Sequence, residues 1–171
     1  MIKNIKSLVL FNIFFFLSIF IFFQYENLYF LKNGIFPWDA VVFKDLALSF
    51  FDENFKDNVP YINTLIYYPH SSKLLYPLVT GYLHLKLNIE LIQIMFLVNL
   101  CSVYLTSLIS FFLLRKFINK DSIILLTIFL CLLIWNGPLR ATFYNPASAY
   151  AFDTLLISLT SASIFFLDEN R

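Results

Sequence analysis

The sequence predicts an all-α fold, a polytopic membrane helix bundle of about four transmembrane helices with one or two juxtamembrane helices on the outer face. Three observations predict it. Of 171 residues, 60% are hydrophobic and 13% are charged, with a mean hydropathy of +0.75, whereas soluble domains carry about 25% charged residues. Several apolar runs approach the length that crosses a hydrocarbon core of about 30 Å. Lys3, Lys6, Arg115, Lys116, Lys120 and Arg171 crowd short segments that all fall on one side once those runs are threaded through a bilayer, as the positive-inside rule requires. Residues 1–171 then form a single transmembrane domain with both termini cytoplasmic, and the expected location is a bacterial inner membrane.

The first span covers residues 7–23, preceded by Lys3 and Lys6. A cleavable signal peptide is the rival. The run is longer than the usual apolar core of about 7–15 residues, and Gln24-Tyr25-Glu26-Asn27 offers no small-x-small cleavage site. Residues 24–90 follow as an outer-face loop, far beyond the length of about 12–15 residues at which a loop is expected to be functional or to hold structure of its own. Within it, 39–51 places Val42, Phe43, Leu46 and Phe50 at three- and four-residue spacing, with Lys44, Asp45 and Ser49 on other faces. That is the pattern of an amphipathic helix at the bilayer surface. Residues 73–87 give a second helical pattern, too short and, with Lys73, His84 and Lys86, too polar for a span; a surface or re-entrant helix is expected.

The second span covers 91–114 and ends in a short basic loop, Arg115 to Lys120, which joins it to a third span over 122–137 as an antiparallel hairpin. Asn136-Gly137-Pro138 interrupts that third span. The fourth covers 148–167 and closes on Asp168-Glu169-Asn170-Arg171. Asn12, Gln93 and Asn99, inside spans, are expected to hydrogen-bond between helices. Cys101 and Cys131 fall in mid-run with no metal or disulfide spacing, and read as reduced core residues.

A net charge of +1 with no basic stripe argues against nucleic acid as a partner. Neither a Gly-rich phosphate loop nor a His-Glu-x-x-His or paired-cysteine motif occurs, so no metal site is predicted. The chemistry-bearing residues gather instead near the outer face. Asp39 follows Pro37 and Trp38 and would stand in the first turn of a helix, where free backbone N–H groups favour its ionised form; it is either a plain cap or a functional carboxylate. Asp153 lies inside an apolar run, where a charge costs about 2.5 to 3.5 kcal/mol on insertion scales. It either snorkels or caps a later-starting helix, or it faces a polar cavity. His70, Lys73 and Arg140 share that face, and Arg140 suits a lipid phosphate because its planar fork binds in two places. Trp38, Tyr61, Tyr67, Tyr68, Trp135 and Tyr144 are either interfacial anchors or ligand contacts.

A first span, an acid opening an outer-face helix (Trp38-Asp39-Ala40-Val41-Val42-Phe43-Lys44-Asp45-Leu46-Ala47), a Pro- and Tyr-bearing stretch (Tyr68-Pro69-His70-Ser71-Ser72-Lys73-Leu74-Leu75-Tyr76-Pro77-Leu78) and antiparallel spans together resemble the N-terminal part of GT-C membrane glycosyltransferases. The resemblance implies transfer of a sugar from a polyprenyl-phosphate donor to an acceptor on the outer face. Asp39 matches the family's first-outer-loop acid, a general base or metal ligand, so a divalent metal is the one cofactor the resemblance admits. Asp153, Arg140, Lys73, His70 and Trp38 are candidates for substrate binding. Family members are several times longer, so the chain is expected to be an incomplete module, inactive alone and completed by a partner membrane chain. The alternative from a different class is a non-catalytic membrane scaffold or assembly subunit. In either case the lipid bilayer is a partner.

Overall fold

The computed structural model describes residues 2–25, 28–36, 40–51, 74–117, 138–147 and 149–169. The expected third span, 122–137, lies outside them. The described residues are helical without a strand: α1 (Ile2–Tyr25), α2 (Tyr29–Asn33), α3 (Ala40–Ser49), α4 (Leu75–Leu87), α5 (Leu91–Phe117), α6 (Pro138–Tyr144) and α7 (Tyr150–Glu169).

Helices α1 and α5 lie antiparallel, sealed by rings along their length. Phe11 meets Phe111 at 5.3 Å between centroids, Phe15 meets Tyr104 at 5.1 Å, and Phe23 meets Phe96 at 6.0 Å. Tyr104 Oη donates a 2.7 Å hydrogen bond to Asn12 Oδ1 across this seam. The start of α1, which carries Lys3 and Lys6, therefore lies at the same end of the pair as the end of α5. Helix α7 packs most extensively on α5 and runs parallel to it: Ala147 and Ala149 cluster with Met95, and Ala151 with Val103. The α5 side chains buried at its packing faces include Ser102, Thr106 and Ser107, and small residues of this kind let helix backbones approach closely.

Four short helices, or the starts of longer ones, occupy the other end. Helix α2 ends on Gly34, whose left-handed φ of 65° lets its N–H reach Phe30 O. Pro138 opens α6, a position where a missing N–H costs nothing. Phe143 of α6 stacks on Phe22 at 5.1 Å and edges Phe96 at 5.5 Å. Helices α3 and α4 run parallel, with Phe43 against Tyr76 and Phe51 against Tyr82. Gly81 permits their approach, because a Cβ there would collide with the Ala47 carbonyl and press on the Phe51 ring. Asn88, with φ 54°, caps α4 through its N–H to His84 O and turns the chain into α5.

Among the described residues, Leu91–Leu113 is long and apolar enough to cross a membrane, and Leu8–Gln24 is a shorter apolar stretch. Fewer than half of the residues of the long stretch are buried by the rest of the chain. Cys101 corrects the expectation of a core cysteine: it is exposed and its thiol is free, because α5 turns that face away from α1 and α7. Cys131 lies outside the described residues. Helix α7 carries Ser158, Thr160, Ser161 and Ser163, each hydroxyl donating to the carbonyl four residues earlier at 2.8 to 2.9 Å.

Replacing Gly81 with Ala forces α3 and α4 apart at a backbone carbonyl, which cannot rotate out of the way. A loss of about 1 to 3 kcal/mol is expected, read as a lower unfolding midpoint in detergent, while Gly34→Asn, at a left-handed position Asn tolerates, changes it little.

Candidate functional site

The layer at the α3/α4 end is built around one apolar cluster: Ala40, Phe43, Ala47, Tyr76, Leu91, Met95, Ala147 and Ala149, with Phe152 packed against it. Ala40, the residue after Asp39, is wholly buried in it. The start of α3 and the start of α7 thus belong to one packed unit although more than a hundred residues separate them in sequence.

A polar node pins that cluster. Asn99 Nδ2 donates to Tyr76 Oη at 3.1 Å and to Pro146 O at 3.0 Å, while Tyr76 Oη lies 3.3 Å from Met95 O, to which it donates. Burial pushes the Tyr76 phenol far above its ordinary range, against a smaller opposing pull from the Asn99 bond. The phenol therefore stays neutral and keeps the proton it donates. Thr80 Oγ1 donates back to Tyr76 O at 3.0 Å, so the buried face of α4 hides its own hydroxyl. Asn12 and Asn99 thus make the interhelical bonds expected of them. Gln93 does not: it is exposed and reaches its neighbour Glu90 at 3.4 Å, because its position on α5 faces away from the other helices.

Asp153 stands in the first turn of α7, its N–H bonded to Ala149 O at 2.9 Å and its side chain half-buried. The helix begins at Tyr150, two residues after the expected boundary, which places the carboxylate at the positive end of the helix dipole. Arg140, on α6 at the same end of the bundle, lies over the Tyr144 ring at 5.4 Å, with Nη2 3.5 Å from Tyr144 Oη. The cation–π contact holds the guanidinium beside that ring. Trp38, Asp39, His70 and Lys73 lie outside the described residues.

The acid that sequence periodicity misplaced is Asp45. Expected on a polar face of a surface helix, it is 5% exposed, and its Oδ1 lies 3.5 Å from Lys44 Nζ. Lys44 also lies 5.6 Å above the Phe36 ring. Helix α3 is covered on more than one side, so its polar positions do not all reach solvent. Spacing along α3 carried no signal of that burial, which comes from the elements packed around the helix.

No group of three or more His, Cys, Asp or Glu side chains among the described residues could hold a metal ion. Asp39, the residue that the resemblance would give such a metal, lies outside the described residues. Comparison with protein-family models, curated proteins and solved structures finds no match to this chain.

Substitutions at Asn99 and Tyr76, against those at Asp45 and Lys44, separate the node from the buried acid. Asn99→Leu strips donors from Tyr76 Oη and Pro146 O, each loss costing about 1 to 3 kcal/mol. In a double-mutant cycle with Tyr76→Phe the two effects should fall short of their sum. Asp45→Ala, with the carboxylate nearly sealed from water, is expected to lower the unfolding midpoint by the equivalent of about 1 to 3 kcal/mol, whereas Lys44→Ala, a third exposed, should cost under about 1 kcal/mol.

Proposed function

We propose that α1, α5 and α7 cross a bilayer with the α3/α4 end of the bundle on its outer face, and that the chain is the N-terminal module of a GT-C-like glycosyltransferase. The observation that carries this reading is the shared cluster of Ala40, Ala147 and Ala149. It draws the segment that follows Asp39 and the turn that leads to Asp153 into one unit at one end of the bundle. The apolar surfaces support the membrane part. On α1, Val9, Ile13, Phe16 and Phe20 form a stripe that is half-exposed or more, and Ile157 of α7 is exposed as well. Antiparallel α1 and α5 also bring basic termini together, as an inward-facing end requires.

In the proposed reaction the Asp39 carboxylate accepts the proton of an acceptor hydroxyl as its oxygen attacks the anomeric carbon of the donor sugar. The bond from that carbon to the phosphate oxygen breaks, and the polyprenyl phosphate leaves with the electron pair. A sugar or protein hydroxyl is a poor nucleophile, so a carboxylate within hydrogen-bond reach is worth about 10²- to 10⁴-fold. Arg140 is suited to the charge that develops on the leaving phosphate. The prenyl tail remains in hydrocarbon.

A second reading, a scaffold or assembly subunit, is favoured by the same α1 stripe, which equally fits the helices of a partner membrane chain. The two readings diverge on Asp39. Sugar transfer from a polyprenyl-phosphate donor in membranes containing the chain and any partner that completes it should drop by about 100-fold or more in Asp39→Asn, with protein level unchanged. Undiminished transfer, or labelling of a cysteine placed at Ile35 from the cytoplasmic side, removes the glycosyltransferase proposal.

A further inference from the structure

Helix α4 is amphipathic the wrong way round for water. Its buried face is Tyr76, Pro77, Thr80 and Gly81, three of them small or hydroxyl-bearing. Its outer face carries Leu75, Leu78, Tyr82 and Leu85, exposed by 48%, 41%, 51% and 56%, at spacings of three, four and three that make a single stripe. The helix is also inclined along α5. At its C-terminal end, Asn88 to Glu90 join it directly to the start of α5, and His84 Nδ1 lies 2.6 Å from Ile89 O. At its N-terminal end, Tyr76 reaches Met95 and Asn99, which lie about 6 and 12 Å along α5 from Leu91 at 1.5 Å per residue.

We infer that α4 is an oblique re-entrant helix whose leucine stripe is solvated by the acyl chains of the outer leaflet, with Leu75 deepest and Leu85 near the headgroups. This rests on the reading of α5 as a membrane span. The occupant is lipid because α4 packs along the first turns of α5, the stretch long and apolar enough to cross a membrane, while its own leucine stripe faces away from that helix. Lys86, at the shallow end, lies 5.9 Å from the Tyr82 ring, a cation and an aromatic placed where phosphates and carbonyls of lipid would meet them. Among the described residues of α4, the buried hydroxyls toward that end are satisfied: Tyr76 bonds to Met95 O and Asn99, and Thr80 to its own helix. Unsatisfied ones would cost several kcal/mol in hydrocarbon.

The test is a depth measurement on the full chain. In a Cys101→Ser, Cys131→Ser background, single cysteines at Leu75, Leu78, Tyr82 and Leu85 are nitroxide-labelled and reconstituted in phosphatidylcholine vesicles containing phosphatidylglycerol. Collision with oxygen is compared with collision with a nickel chelate. All four positions are outward-facing, so labelling leaves the fold intact, and an unchanged unfolding midpoint verifies this. A depth difference on the order of 10 Å between 75 and 85, increasing stepwise, is expected from about 15 Å of helix between them. Equal depths, or free access of the nickel chelate to all four, overturn the inference, and shielding from both reagents overturns it in favour of a covering protein. Labels at Leu97 and Leu105 separate the two failures: if these also meet the nickel chelate freely, the membrane reading of α5 fails; if they lie in lipid, only the placement of α4 does.

Discussion

A single side-chain amide sets the geometry on which the rest of this bundle depends. Asn99 is wholly buried on α5, and its amino group joins α4 through Tyr76 and the α6–α7 turn through Pro146. In a low-dielectric interior such bonds are strong when made and expensive when lost. The amide therefore fixes the rotation of α4 about its axis and the point at which α7 starts. Through α4 it also fixes α3, since Gly81 admits the Ala47 carbonyl at one place only.

The aromatic seam between α1 and α5 performs a different task. Ring contacts have geometric preferences but tolerate sliding; the Tyr104–Asn12 bond removes that freedom by setting register. With the register set, the end of α1 meets Phe143 and Phe96, and α6 is clamped between the two longest helices. The outer layer is thus held at two independent points, Phe143 and Pro146, which bracket the turn leading into α7 and Asp153.

The long helices were legible because their apolar runs are continuous, and the expected boundaries of 7–23, 91–114 and 148–167 lie within a few residues of α1, α5 and α7. The expected end of the 73–87 pattern coincides with the end of α4 at Leu87, and the left-handed cap at Asn88 is what the structure adds. Helices α2 and α6 were not. Gly34 and Pro138 were their signals, a C-terminal stop and an N-terminal start, but each bounds a helix of only five or seven residues, too short for periodicity to register. At the site, Asp153 stands in the first turn of α7, the later-starting helix that its sequence context left open beside snorkelling and a polar cavity. The burial of Asp45 was out of reach, because it depends on packing around α3 that spacing along one helix does not encode. Arg140 was singled out for its charge, yet its stacking on Tyr144 was not foreseen, although the i, i+4 spacing of the two residues carried it.

The hydroxyls of α7 alter how its polarity should be weighed. Ser158, Thr160, Ser161 and Ser163 spend their protons on carbonyls of their own helix, so they offer little to a neighbouring helix and little to water. Such internal bonds loosen the i to i−4 ladder and let a helix curve. The second half of α7 is accordingly pliable without being adhesive: it can bow to follow its surroundings while the first turn, tied at Pro146 and Ala149, stays in place.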